Sequence, residues 1–206
     1  MHALKDSPIT EIPSLQPLQF GDATSTAKGN VVTLISPDNH EILLDDIASS
    51  LARLSLYNGQ TRTEDIYSIA IRSAWVAMYL QKTTGDPELA LHGLMFRSAA
   101  AYVGVSMLPK DTLQIDLETN VKRAIYDALD MPVLTTDQVA QIEQANAQAI
   151  AVELNALLPE GAADKYDLPP INKHANAIGF MDPVRPWIAT GAFLNFFERL
   201  QRGEQL

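Results

Sequence analysis

The chain has 206 residues, of which 47% are hydrophobic and 19% charged, as expected for one globular domain with a sizeable core. Its formal net charge of -10 argues against general nucleic-acid binding and against an anionic membrane surface, because both need a basic surface. The sequence contains no cysteine, which excludes disulfides, thiol catalysis and cysteine-ligated zinc.

The N-terminal part of the chain differs in character from the rest. Residues 1–28 are polar and contain several prolines, which predicts an irregular arm without the features of a signal peptide. Residues 29–206 are predicted to form a single domain. Within it, the apolar runs Val31–Ile35 and Ile42–Leu44 flank a Pro-Asp-Asn turn signal, which predicts a small β-hairpin.

Apolar residues at helical spacing predict about six helices after this hairpin. Gly85, Asp86 and Pro87 supply a break, an N-cap and a first-turn proline for the third helix, and Thr136 is predicted to cap the fifth. The fold class is therefore all-α, a helical bundle with a small N-terminal hairpin. The predicted helices cover about residues 45–57, 65–82, 87–102, 113–130, 136–158 and 186–201.

Two arginines stand in unusually apolar surroundings. Arg97 is the only formally charged residue between Leu89 and Pro109, and its position at the centre of this stretch argues against a membrane span. Arg72 lies in the second predicted helix, and neither arginine has an acidic residue three or four positions away. Each must therefore reach solvent, pair with an acid on another helix, or bind an external anion, since an unpaired buried charge costs several kcal/mol.

Four segments of the chain resemble, in order and with similar spacing, the HD-domain phosphohydrolase superfamily, in particular its 5′-deoxynucleotidase-like and phage dNTP-hydrolase-like branch. Residues 43–73 resemble the family stretch "IEDIAHALSRICRFNGHTR…YSVAQHS". Residues 89–104 (LALHGLMFRSAAAYVG) resemble "LALLLHDASEAYIGD", and residues 144–159 resemble "RADDRALATEARDLMP". Residues 186–201 are similar to the family's closing helix. The resemblance implies an HD-type helical bundle, which in the family holds a divalent metal through an H…HD…D set.

The resemblance also implies that this metal set is lost. Arg72 stands where the first histidine is expected, Phe96 and Arg97 stand in place of the His-Asp pair, and Asn146 replaces the last aspartate. Arginine and phenylalanine do not bind divalent cations, and asparagine is a weak neutral ligand. We therefore expect no catalytic residue, no metal and no cofactor at these vestigial positions. No P-loop, G-x-S-x-G or dinucleotide fingerprint suggests another chemistry.

Two alternatives remain for the arginines. They could form a phosphate or anion site, in which Arg53, which aligns with an arginine that family members use near the phosphate, and Arg62 join Arg72 and Arg97. In the other alternative, Arg72 or Arg97 pairs across helices with an acid and fills the former cavity. The candidate acids are Asp116, Glu118 and Glu153.

These observations predict a catalytically inactive HD-type pseudoenzyme that acts as an interaction or scaffold protein. A nucleotide or phosphate sensor that uses the arginine cluster, and a nucleotide phosphohydrolase with a displaced site, remain the alternatives. We expect a homo-oligomer by resemblance, and no membrane or general nucleic-acid partner. Contacts with a protein partner are expected through the proline-rich N-terminal arm and the C-terminal aromatics, with the alternative that these aromatics belong to the core. The expected location is the cytoplasm, or the host cytoplasm or virion if a phage encodes the chain. The aromatics in question are Trp187, Phe193, Phe196 and Phe197.

Overall fold

The computed structural model describes residues 22–105 and 111–206, and within these ranges the fold is all-α with one small hairpin. The helices are α1 (Leu44–Leu51), α2 (Ile69–Thr84), α3 (Pro87–Met95), α4 (Ala100–Val103), α5 (Thr112–Ala128), α6 (Thr136–Leu157), α7 (Lys173–Ile178) and α8 (Pro186–Gln201). Short 3₁₀ turns lie at Asn39–Glu41, Leu56–Gly59 and Ala163–Lys165. The predicted fold class is therefore confirmed. Residues 1–21, which form most of the predicted N-terminal arm, lie outside the described residues.

The hairpin exists, and one of its strands lies within the predicted run Val31–Ile35, whereas the other strand was not predicted. Strand β1 (Ala23–Ser25) pairs antiparallel with β2 (Val31–Thr33), so the hairpin begins inside the segment predicted as an irregular arm. The run Ile42–Leu44 is not a strand, because the preceding residues form a 3₁₀ turn and α1 starts at Leu44. The Glu41 carboxylate of that turn accepts a hydrogen bond from the backbone N–H of Thr33 (3.0 Å). This side chain therefore takes the place that a third strand would have beside β2.

Helix starts follow the capping chemistry of the sequence. Asp86 accepts the N–H groups of Glu88 (2.9 Å) and Leu89 (3.2 Å) at the start of α3, as the Gly-Asp-Pro signal predicts. Helix α2 begins at Ile69, four residues later than predicted, because Ser68 is its N-cap. The predicted cap of α6 is wrong by one residue: Thr135 forms the capping box, with Gln138 as its partner.

The third predicted helix is interrupted around Arg97. Helix α3 ends at Met95 and α4 begins at Ala100. The residues between them form tight turns, in which a backbone N–H donates to the carbonyl three residues earlier. The Ser98 N–H donates to the Met95 carbonyl (3.0 Å), and the Ala100 N–H donates to the Arg97 carbonyl (3.0 Å). Arg97 therefore lies in a turn between two helices, not within one continuous helix.

Helix α2 is the central element of the bundle, because most of its residues are buried and it packs against α3, α6 and α8. Helix α1 packs against α8 and α4, and α3 also packs against α8. One connected hydrophobic cluster joins these helices and includes residues of β2 and α5. Its largest fully buried side chains are Trp75, Tyr67, Phe193, Ile47, Leu51, Ile69, Leu80, Leu94, Met95, Ile125, Ile142 and Leu157. Among residues 22–105 and 111–206, no helix is both long and apolar enough to cross a bilayer.

Candidate functional site

Four polar side chains meet between α2 and α6, and we call them the Arg72–Glu153 network. Arg72 lies in the first turns of α2, and Glu153 lies near the end of α6. The other two members are Tyr57 and Tyr67, from the loop that joins α1 to α2. The loop is closed at its base by a backbone hydrogen bond from the Leu56 N–H to the Tyr67 carbonyl (2.9 Å), which brings both tyrosines to α6.

The carboxylate of Glu153 is fully satisfied by these neighbours. Arg72 Nε donates to Oε1 at 2.9 Å and to Oε2 at 3.0 Å, and Arg72 Nη2 forms a further ion-pair contact with Oε2. The Tyr57 hydroxyl donates to Oε2 at 2.6 Å and accepts from Arg72 Nη2 at 2.7 Å, while the Tyr67 hydroxyl donates to Oε1 at 3.2 Å. The salt-bridge alternative for Arg72 is therefore confirmed, with Glu153 as the partner.

Burial makes this network electrostatically demanding. Arg72 is 8% exposed and Glu153 is 2% exposed, so both charges have lost most of their hydration. Burial by itself lowers the pKa of the Arg72 guanidinium, but the charge and hydrogen bonds of Glu153 outweigh it and the pKa is raised. Burial and the negative charge of Glu153 raise the pKa values of the Tyr57 and Tyr67 hydroxyls. Both hydroxyls therefore keep their protons and act as donors to the carboxylate.

The loop that supplies Tyr57 has an unusual backbone. Tyr57 (φ 55°, ψ 25°) and Asn58 (φ 54°, ψ 28°) are both in the left-handed region. This conformation costs roughly 1–2 kcal/mol for a residue with a Cβ. The two hydrogen bonds of the Tyr57 hydroxyl hold the turn, and the Arg72 guanidinium carbon lies 5.4 Å from the centre of the Tyr57 ring. The network thus fixes the loop as well as the helices.

Arg97 has a different environment from Arg72. It is partly buried, and no hydrogen bond or ion pair joins its guanidinium to another side chain of the described residues. Burial lowers the pKa of Arg97, the charge of Glu118 raises it, and the charge of Arg72 lowers it further. The two arginines are therefore close enough to repel each other. Any ligand drawn to them would be an anion.

The other two vestigial positions show no chemistry of their own. Phe96 is partly buried, and its ring lies 5.2 Å from the ammonium of Lys122. Lys122 also lies 5.4 Å from the ring of Tyr126, and burial lowers the pKa of this lysine. Asn146 is a partly buried residue of α6. A cation–π group thus stands where the resemblance places a histidine.

The remaining two arginines have partners outside the network. The Arg53 guanidinium donates to the Ser49 carbonyl at 2.7 Å and to the Ser49 hydroxyl, one turn earlier on the same helical surface. Arg62 donates from Nη2 to the Ala156 carbonyl at 2.8 Å, and its backbone N–H donates to the Leu157 carbonyl at 2.9 Å. These bonds satisfy carbonyls at the end of α6. The predicted four-arginine cluster stays a prediction; the positive charge of Arg72 contributes to the lowered pKa of Arg97.

Sequence patterns did not identify the two tyrosines of the network. Tyr57 ends the first predicted helix and Tyr67 lies near the start of the second, so both are predicted as helical residues, whereas the structure has them in the loop that joins α1 to α2. A tyrosine beside Asn-Gly is a weak turn signal, and it does not tell where the hydroxyl points. Glu153 is one of the three candidate acids, and helical spacing alone does not show which of the three pairs with Arg72.

Within residues 22–105 and 111–206, no group of three or more histidine, cysteine, aspartate or glutamate side chains is arranged to hold a metal ion. Comparison with known proteins gives no match, either to a protein-family model or to a curated protein sequence.

Proposed function

We propose that the chain is a catalytically inactive protein of the HD-domain type that acts as an interaction or scaffold protein. The observation that carries this proposal is the Arg72–Glu153 ion pair. In the resemblance, Arg72 stands at the position of a metal-binding histidine, and here its guanidinium is held by a carboxylate and two tyrosines. Because the Arg72 guanidinium is already paired with a carboxylate, it would bind a phosphate only weakly.

Charge supports the same conclusion. The charges of Arg72 and Arg97 interact, and because Arg72 is already paired with Glu153, the positive charge of Arg97 is the one that would repel a divalent cation beside it. In a metal-dependent phosphohydrolase, the cation attracts and polarises the phosphate. Here the Arg72–Glu153 ion pair stands where the resemblance expects the metal, and its hydrogen bonds are made to side chains of the protein itself.

The first experiment is metal analysis of the purified protein with assays on deoxynucleoside mono- and triphosphates. We expect Mn, Fe, Co and Zn well below one ion per chain and no turnover. Stoichiometric metal together with turnover would overturn the proposal and favour the displaced-site phosphohydrolase.

A second experiment tests the assignment of the vestigial positions. A variant carrying Arg72→His, Phe96→His, Arg97→Asp and Asn146→Asp regains the four ligand types that the resemblance places there. We expect this variant to bind Mn²⁺ in calorimetry, with the unmodified chain as the matched control. Equal binding by the two proteins would argue against a metal-derived site.

One observation favours a second candidate, a sensor of phosphate-bearing ligands. Arg97 is partly buried without a hydrogen-bond partner among the described side chains, so its guanidinium can still donate hydrogen bonds to a phosphate. Inorganic phosphate and deoxynucleotides would then raise the melting temperature of the protein, and Arg97→Gln would remove the effect. Arg123→Gln, at an exposed arginine of α5, is the control for loss of a positive charge.

The interaction role needs a surface, and α8 offers one at its N-terminus. Of the four aromatics predicted to make contacts, Phe193 and Phe197 are buried in the core, which argues against them as contact residues. Trp187, in contrast, is 69% exposed, and its neighbour Ile188 is also exposed. Large exposed apolar side chains next to each other are typical of protein contacts. We place the protein-binding surface there, and the proposed assembly is a homo-oligomer.

A further inference from the structure

A cavity of about 390 Å³ lies between α5 and the start of α6, apart from the Arg72–Glu153 network. Its volume is within the range of small-molecule sites, and the surface that it offers is mostly apolar. We call it the Lys122 cavity, after the partly buried lysine in its wall. The apolar side chains of the α5–α6 loop and of α6 that line it are Met131, Val133, Leu134 and Val139.

The loop that joins α5 to α6 gives this cavity a fixed wall. Near its start, the Met131 N–H donates to the Tyr126 carbonyl (2.9 Å). At its end, Thr135 and Gln138 form the capping box that begins α6. The wall is therefore held in shape by the protein itself, so a ligand would not have to order it on binding.

The same loop leaves apolar surface in water at the cavity. Val133 is 93% exposed, the largest exposed fraction among the large hydrophobic side chains of the described residues. Its neighbour Leu134, also in the lining, is partly buried. Covering such surface removes it from water, which favours a ligand with an apolar part.

Lys122 adds a positive charge that lacks an acidic partner at contact distance. Its ammonium lies 5.2 Å from the centre of the Phe96 ring and 5.4 Å from that of Tyr126, and no hydrogen bond or ion pair joins it to another described residue. The charges of Glu118 and Glu143 raise the pKa of Lys122, but burial outweighs them and the pKa is lowered. The ammonium thus has three donors, little water and no acceptor from the described side chains.

Two further charged side chains line the cavity, and their charges are opposite. Arg123 and Asp127 are both exposed, and Arg123 Nη2 donates to the side-chain carbonyl of Asn120 (3.0 Å). Because one cation and one anion offset each other, Lys122 gives the lining its net positive charge. The charge of the lining therefore favours an anionic head group over a cationic one.

We propose that the Lys122 cavity binds a small amphipathic anion, such as a medium-chain carboxylate. The anionic head group pairs with the Lys122 ammonium and supplies the acceptors that it lacks. The apolar tail lies along the loop and covers Val133 and Leu134, which removes their exposed surface from water.

Calorimetry on the full chain tests the two parts of the ligand separately. The probes are octanoate, its neutral counterpart octanamide, the cation octylamine, and acetate, which has the head group without the tail. We expect octanoate to bind about 10-fold or more tighter than octanamide, because a charge-assisted hydrogen bond is added to the same tail. Acetate and octylamine should bind more weakly than octanoate. Octanamide or octylamine binding as tightly as octanoate would overturn the proposal.

Lys122→Met removes the charge and keeps an unbranched apolar side chain. It should lower the affinity for octanoate to about that for octanamide, and it should leave octanamide binding unchanged. Lys173→Met, at an exposed lysine of α7, is the matched control and should alter neither affinity. Octanoate binding that is unchanged in Lys122→Met would show that the lysine does not hold the head group.

Val133→Ser tests the position of the tail without removing core contacts, because the side chain is almost fully exposed. It should weaken octanoate and octanamide alike, by about 3-fold or more, since less apolar surface is covered. Circular dichroism and urea denaturation establish that each variant is folded. The proposal fails if octanoate does not bind to the unmodified chain, or if Val133→Ser leaves both affinities unchanged.

Discussion

Glu153 is the residue on which the central network depends, because it accepts hydrogen bonds from Arg72, Tyr57 and Tyr67. A buried ion pair contributes little net stability when intact, since desolvation offsets much of the attraction, but removing one partner leaves the other charge buried and unpaired. The ion pair therefore adds little to the stability of the intact protein, but the loss of either partner is strongly destabilising.

We therefore expect Glu153→Gln to lower the free energy of unfolding by about 3–5 kcal/mol, measured by urea denaturation. The double variant Arg72→Met, Glu153→Leu should recover much of this loss because no buried charge remains, although the tyrosines lose their acceptor. Glu143→Gln, at an exposed site on the same helix, should change the value by about 0.5 kcal/mol or less. A Glu153→Gln variant as stable as the unmodified chain would contradict the geometry described above.

His92 gives the protein a pH dependence of known sign. It is 1% exposed, its ring lies 5.3 Å from that of Tyr126, and burial together with the charge of Lys122 lowers its pKa to about 4. The ordinary value is 6.5, so the unfolded chain binds a proton at a higher pH than the folded chain. His92 therefore stabilises the fold fully above about pH 6.5, and this contribution is lost as the pH falls toward 4.

The loss should amount to about 3 kcal/mol between those two pH values. Urea denaturation at several pH values measures it as a slope in the free energy of unfolding. His92→Leu should flatten that slope, and His40→Gln, at an exposed histidine, controls for the loss of an imidazole. An unchanged slope in His92→Leu would mean that this histidine is not the group responsible.

Helices α2 and α3 pack closely because of one glycine. A Cβ at Gly93 would overlap Leu80 and lie 3.2 Å from Val76, so Gly93→Ala should lower the free energy of unfolding by about 1–3 kcal/mol. Gly191 is the matched control, because it is an exposed glycine inside α8 with nothing near an added Cβ. Gly191→Ala should stabilise the protein by about 0.5–1 kcal/mol. Thermal denaturation of both variants gives the comparison, and equal effects would refute the close packing.

At the level of elements, the sequence predicted what local chemistry controls and missed what tertiary contacts control. Apolar spacing located the long helices, and Asp86 with Pro87 correctly set the start of α3. The break around Arg97 was missed, because Phe96–Ala99 contains neither glycine nor proline and the tight turn there is supported by its surroundings. The hairpin was placed one strand too late, since apolar runs alone do not specify the pairing of strands.

The candidate site was predictable only in part, for a reason that belongs to the whole molecule. The sequence identified Arg72 as a cation in need of a partner, but its partner lies 81 residues away on α6. Helical spacing reports neighbours on one helix and carries no information about which helices pack together.

The proposed assembly surface can be tested by fluorescence because the chain has two tryptophans in opposite environments. Trp75 is 1% exposed and donates its indole N–H to the Gly179 carbonyl at 2.8 Å, whereas Trp187 is the exposed one. In Trp75→Phe, the emission reports Trp187 alone. If chains associate through this surface, its emission shifts to the blue as the protein concentration rises, because the indole leaves water.

Trp187→Ser should then reduce the mass measured by light scattering to that of one chain. Tyr166→Ser removes an exposed aromatic residue outside α8 and should leave the assembly intact. An emission spectrum independent of concentration, with an assembly that survives Trp187→Ser, would place the contact elsewhere. Since Trp187 follows Pro186 at the start of α8, its removal takes away surface without removing core contacts, so a change in mass would reflect association and not misfolding.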